Sequence, residues 1–129
     1  PSIDEVVDLT PRDGIKTPQV ESPPASGRVL VIAEYRIDPT RVSEFKKLMR
    51  EDTRSSRLRL GALAWHLVQD ISEPGRFQEH FVDLSWDDHL RRYQRLSAAD
   101  AALQDKRIGF LLPGEHVRVS RYHVETYED

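Results

Sequence analysis

The chain has 129 residues, 38% of them hydrophobic, with 19 basic and 22 acidic side chains for a formal charge of -3, and it contains neither cysteine nor asparagine. One domain of this size buries roughly two thirds of the surface its unfolded chain exposes, enough for a core without disulfide or metal staples. The composition excludes thiolate catalysis, cysteine metal sites and N-glycosylation, and no apolar run approaches the roughly 20 residues that span a bilayer.

The absence of cysteine suits a reducing compartment. The first residues lack the charged and apolar segments of a signal peptide. The chain opens on Pro1 rather than Met, as a processed chain or a piece of a longer one would. Residues 1–28 hold Pro1, Pro11, Pro18, Pro23 and Pro24 among scattered acids. Such a stretch buries too little apolar surface to offset its ordering entropy, so it is expected to be a largely disordered linker, with Val6, Val7 and Leu9 as a short docking stretch. The globular domain is expected over residues 29–126.

VLVIAEYRI, residues 29–37, is β-branched and aromatic and predicts a strand buried on both faces. Asp38 followed by Pro39 predicts a helix start, because the carboxylate accepts from exposed N–H groups while proline presets the first turn. The helix is expected to run to about Leu60 on a stripe of Val42, Phe45, Leu48, Met49 and Leu58, with a bend in the weakly patterned DTRSSR and a stop at Gly61.

Residues 62–71 and 76–86 read as two strands joined by SEPG, a hairpin loop. With Ile71 set opposite Arg76, one face carries Leu63, Trp65, Leu67, His80, Val82 and Leu84. The other carries Ala64, His66, Val68, Phe77, Glu79 and Phe81. Both faces are apolar enough to need cover. Ser85 and Asp88 resemble a capping box before DHLRRYQRL, and Ser97 and Asp100 repeat the spacing before a second helix. Residues 115–125 alternate and supply a last strand.

The order strand, helix, strand, strand, helix, strand is that of the ferredoxin-like βαββαβ fold, an α+β architecture whose four-stranded antiparallel sheet carries helices on one face. The other face is bare in a monomer. A second copy covering it would give a homodimer, a dimeric α/β barrel, with Glu34, Ala64, His66, Val68, Phe77, Glu79 and Phe81 lining a ligand pocket or dimer face.

From Val29 onward the stretches VLVIAEYRIDPTRVSEF, GALAWHLVQDISEPGRFQEHFVDLSWDDHLRRYQRLSAAD and HVRVSRYHVE resemble the soluble C-terminal domain of bacterial transmembrane secretion effectors. These form the branch of the major facilitator superfamily that includes enterobactin-exporter-like proteins. PGRFQEHFVDLSWDDHLRR is the most specific portion, and DLTP with the prolines after it looks like the tether following a last membrane helix. The resemblance implies a domain at the cytoplasmic face of the bacterial inner membrane, attached to an exporter of a small molecule such as a siderophore or drug. It also implies a fold similar to antibiotic biosynthesis monooxygenases.

Two functions follow from the residues together with that resemblance. One is a non-catalytic accessory domain that mediates dimerisation, regulation or sensing of a small apolar ligand, with the membrane portion of its own transporter as partner. The alternative is a cofactor-independent monooxygenase acting on an aromatic metabolite, with His66 and Glu79 handling protons on one face and Glu34 beside them. No cofactor is called for in either case. The five histidines lack the spacing of zinc sites, and neither a G-x-S-x-G turn nor a glycine-rich phosphate loop is present.

Lys47, Arg50, Arg54 and Arg57 fall on one stripe of the first helix. The stripe is a solvated face or, beneath a membrane, a contact for anionic lipid worth about 1 kcal/mol per basic residue. Negative net charge and the lack of aromatic residues among the basic ones argue against nucleic acid.

Overall fold

Four runs rich in β-branched and aromatic residues become strands β1 (Val29–Arg36), β2 (Ala64–Gln69), β3 (Arg76–Asp83) and β4 (Arg118–His123). They lie in the order β2-β3-β1-β4, with every neighbouring pair antiparallel. The computed structural model describes residues 17–126. The linker expected over residues 1–28 lies outside the described residues as far as residue 16, Val6, Val7 and Leu9 included.

The segment between β1 and β2 is helical, as the Asp-Pro signal predicts. Asp38 Oδ1 accepts from the Thr40 backbone N–H at 2.9 Å, and Pro39 opens a short 3-10 turn, Pro39–Arg41. This leads into α1 (Val42–Leu48), a π-helical turn (Met49–Thr53) and α2 (Arg54–Arg59). The bend expected in the weakly patterned middle falls at that π turn, just before and into DTRSSR. Its wider turn re-phases the helix, so that Thr53 and Ser56 follow Phe45 and Met49 onto the buried side. Gly61, at φ +109°, supplies the left-handed residue that ends it.

Helices α3 (Trp86–Gln94) and α4 (Ala98–Ile108) start at the two predicted serine caps. Ser85 Oγ accepts from the Asp88 N–H at 3.1 Å. Ser97 and Asp100 form a reciprocal capping box. The alternating residues 115–125 shorten to a six-residue strand, β4.

One face of the sheet packs on the helices and holds two apolar clusters. In the first, Phe45 sits within 5.1–5.6 Å, centroid to centroid, of Phe77, Tyr35 and Phe110, beside Ile37 and Met49. Burying a side chain of this size contributes about 2–3 kcal/mol. The second joins Val29, Val31, Ala62, Phe81 and Trp86.

The hairpin between β2 and β3 corrects the expected register. Gln69 pairs with Phe77 and His66 with His80, so the pairing is one residue short of the one set by placing Ile71 opposite Arg76. The cause is local. Asp70 Oδ1 accepts from the backbone N–H groups of Ser72 (2.7 Å) and Glu73 (2.9 Å), and its own N–H donates to Arg76 O at 2.9 Å, which ends β2 early and lengthens the loop. Because strand side chains alternate, this slip moves one whole strand to the opposite face.

The β1 end fixes the turn from the other side. The Ile37 N–H donates to Gly75 O at 2.8 Å, and a Cβ on Gly75 would lie 2.7 Å from Ile37 O.

Candidate functional site

Trp65, Leu67, Phe77, Glu79 and Phe81 share the helix-covered face with Val31, Ala33 and Tyr35. Ala64, His66 and Val68 share the open face with Glu34, His80 and Val82. The expected grouping of Glu34, Ala64, His66, Val68, Phe77, Glu79 and Phe81 on one face is therefore split. His66 and Glu79 lie on opposite sides of the sheet and make no pair. Phe77, Glu79 and Phe81 are buried beneath the helices and face no second copy across the open side.

Between the two clusters runs the cross-strand row Leu67, Glu79, Ala33 and Val119. Ala33 is small, so the row leaves space where larger side chains would close the core, and Glu79 occupies it with no solvent exposure. Its carboxylate is saturated by donors. Arg57 forks onto it, Nε to Oε2 at 2.7 Å and Nη2 to Oε1 at 3.1 Å. Trp65 Nε1 donates to Oε2 at 2.9 Å, and the Tyr35 hydroxyl donates to Oε1 at 3.0 Å. Burial alone would raise the Glu79 pKa. The Arg57 charge and hydrogen bonds, the field of Arg107 and the Trp65 bond outweigh it and hold Glu79 down at about 2. Burial, followed by the Glu79 charge, pushes the Tyr35 phenol well above its usual value.

This corrects the placement of Arg57, expected on the solvated stripe with Lys47, Arg50 and Arg54. The other three are exposed, but the π turn carries Arg57 inward to Glu79, with 15% of its side chain accessible.

A second carboxylate is saturated in the same way nearby. Asp83 accepts from Arg92 Nε and Nη2 and, at 2.8 Å, from the Nδ1–H of His89. His89 Nε2 accepts from Arg121 Nε at 2.9 Å, so the buried ring is the neutral Nδ1–H tautomer, and Arg121 continues to the Tyr93 hydroxyl at 2.7 Å. Burial would raise Asp83, and the bonds from His89 and Arg92 lower it. The guanidinium carbons of Arg57 and Arg92 lie 4.8 and 4.6 Å from the Phe81 ring centroid. A third carboxylate, Asp100, accepts from Ser56 Oγ at 2.9 Å and pairs with Arg59.

Some of the partners of these carboxylates, with Asp100 itself, border a cavity of about 220 Å³ between the sheet and helices α2, α3 and α4. Val31, Ala33, Phe81, Val117 and Val119 form its apolar wall, and Ser56, Arg57, Arg92, Tyr93, Asp100 and Arg107 its polar one. Exposed Gln104, Ile108 and Val119 mark its mouth.

Arg107 differs from the other two arginines. It is 7% exposed, and among the described residues it has no carboxylate within 4.0 Å and one side-chain hydrogen bond, Nη1 to Thr53 Oγ1, which is long at 3.4 Å. Burial and then the Arg57 charge lower its pKa.

Of the sequence-predicted site residues, only Glu79 and Phe81 border this arrangement. Tyr35, Arg92, Asp100 and Arg107 were not singled out as site residues. A signal for two of them existed: Arg107 follows Asp100 by seven residues and precedes Phe110 by three, the spacing of one inward helix face. Among the described residues no group of three His, Asp or Glu side chains is placed to hold a metal ion.

The fold recurs in solved structures. A putative antibiotic biosynthesis monooxygenase from Caulobacter crescentus superposes with a TM-score of 0.66 at 15% identity, over 78% of this chain and 92% of that one. SnoaB, a cofactor-independent oxygenase from Streptomyces nogalater, gives 0.64 at 10% identity, over 79% and 97%. A NIPSNAP family protein from Agrobacterium tumefaciens gives 0.62 at 17% identity, over 80% and 90%. Identities this low establish the shared ferredoxin-like fold and nothing about the site. No curated protein matches the chain significantly. The family model described as "Transmembrane secretion effector" matches residues 1–127, and the chain accordingly belongs to the transmembrane secretion effector family.

Proposed function

We propose that the chain is a non-catalytic accessory domain of a major facilitator exporter, held at the cytoplasmic face of a bacterial inner membrane. It pairs with a second copy through its open sheet face and senses a small molecule in the cavity beneath its helices. The observation that carries the non-catalytic part is the state of Glu79. A base must be free to take a proton, and this carboxylate accepts four hydrogen bonds, two from a paired guanidinium, with a pKa of about 2. His66, the other proton-handling candidate, lies across the sheet. Among the described residues no helix is long and apolar enough to cross a membrane, so attachment would come through the rest of the transporter.

The dimer rests on the open face, where Leu30, Ile32, Val82 and Tyr122 form an apolar centre between His66, His80, Glu34 and Arg118. A patch with both charge signs at its rim suits a two-fold contact with itself.

The monooxygenase reading draws on the similar structures that carry that description. The cavity weighs against it, because about 220 Å³ falls below the roughly 300 Å³ at which pockets for larger metabolites begin.

Oxygen uptake with a panel of quinol-like substrates should stay at the buffer rate. Sustained uptake proportional to protein concentration would overturn the non-catalytic reading. Light scattering at high micromolar concentration should report a dimer, and a monomer would remove the covered-face argument.

A further inference from the structure

Arg57 and Arg92 each answer a buried carboxylate, Glu79 and Asp83, and Arg59 answers Asp100. Arg107 is the cation left over on the cavity wall. A buried guanidinium with five donors and one long bond to a hydroxyl lacks the partner that desolvated charges ordinarily require. Among the described residues no protein atom supplies it, and no buried side-chain nitrogen or oxygen is fully enclosed without a partner, so the remaining N–H groups of Arg107 open onto accessible space, and Arg107 lines the cavity.

The same cavity has an apolar wall, formed by Val31, Ala33, Phe81 and Val119. The volume, about 220 Å³, leaves room for one ring and a small head group.

We propose that this cavity binds a small amphipathic anion, a monocyclic aromatic carboxylate in size and chemistry, with its carboxylate forked on Arg107 and its ring against Phe81 and Val31. The inference rests on the ligand-sensing reading above and names the ligand class. A planar carboxylate fits because guanidinium presents two parallel N–H groups to it. Tyr93 in the wall and Gln104 at the mouth would select substituents on the ring.

The test is titration of the isotope-labelled 129-residue chain, followed by amide NMR, with benzoate, with benzamide as its neutral isostere and with inorganic phosphate. Benzoate should give saturable shifts at Val31, Phe81 and Val119 at millimolar concentration, and benzamide should bind about tenfold more weakly or worse. Arg107→Met should abolish the preference for benzoate over benzamide. Ile108→Trp, a change at the exposed mouth that leaves the core alone, should block benzoate even if Arg107→Met does not fold. Equal binding of benzamide and benzoate, phosphate competing as well as benzoate, shifts confined to surface basic residues, or no saturable shift would each overturn the assignment. These readouts are separate from turnover: oxygen uptake would end the non-catalytic reading and leave the anion site standing, whereas indifference to charge would do the reverse.

Discussion

Replacing Glu79 by glutamine changes one charge and almost no volume, so its effect isolates the buried cluster. The new side-chain amide would turn an NH₂ toward Arg57 or Trp65, both of which are donors, and would leave the Arg57 guanidinium unpaired beside Arg107. Removing one partner of a buried ion pair costs about 3–5 kcal/mol. The depressed Glu79 pKa gives a second figure. A folded pKa of about 2 against a reference of 4.5 is about 2.5 units, or about 3 kcal/mol at 1.36 kcal/mol per unit. The folded value is depressed, so this contribution is fully present above pH 4.5 and is lost as the pH falls toward 2. Urea unfolding at pH 7 should therefore show Glu79→Gln less stable by about 3 kcal/mol, a midpoint drop of about 2 M at a slope of ~1.5 kcal/mol/M. Between pH 4.5 and 2 the wild type should lose stability more steeply than the variant. A cost below about 1 kcal/mol at pH 7, or parallel acid profiles, would show that Glu79 is solvated or protonated in the folded protein and that the cluster is misread.

Val82→Glu, on the open face, should convert the dimer to monomer by light scattering with little change in the circular dichroism of the fold, whereas Phe81→Glu, one residue away and 4% exposed, should prevent folding. Gly75→Ala should lower the melting temperature by several degrees, because its Cβ would lie 2.7 Å from Ile37 O and the β1–turn hydrogen bond must open to admit it. Ser97→Ala removes the acceptor for the Asp100 N–H and a donor to the Asp100 carboxylate; a loss of about 1–2 kcal/mol in chemical denaturation is expected.

The fold was legible because its signals are local. Asp38-Pro39, Ser85-Asp88, Ser97-Asp100 and Gly61 each mark a boundary by satisfying or ending a helix with nearby atoms. Strand order follows once helices separate the first strand from a hairpin and the hairpin from the last. The site was not legible, for two physical reasons. Strand register is a one-residue decision, and here a single Asp70 side chain made it by capping the turn; the same slip that reassigns Asp70 puts Glu79 under the helices and His66 outside. Helical phase is likewise fragile, and a π turn at Met49–Thr53 took Arg57 off the basic stripe. Glu79 was singled out for its chemistry, but its partners come from β1, α2 and β2, which no short sequence window brings together.

The buried charges pose a question of cost that bears on function. A well-packed apolar replacement of a buried ion pair is often neutral or stabilising, so the Glu79–Arg57 and Asp83–Arg92 pairs do not exist because stability requires them. Arg107 sharpens the point: among the described residues no carboxylate lies within 4.0 Å of this buried cation, and only the longer-range fields of Tyr35, Glu79 and Asp100 offset its desolvation. A ligand that binds only the folded state returns stability in proportion to the logarithm of its concentration over its dissociation constant. An anion bound at Arg107, as proposed, would therefore couple occupancy to the order of α2 and α4, which supply Arg57 and Arg107 to the cavity wall. Those helices lie on the side of the sheet away from the open face, and β1 and β3 carry residues to both. Through these two strands, an anion bound on one side would bias the proposed pairing of copies on the other, which is the linkage the proposed ligand-sensing role requires.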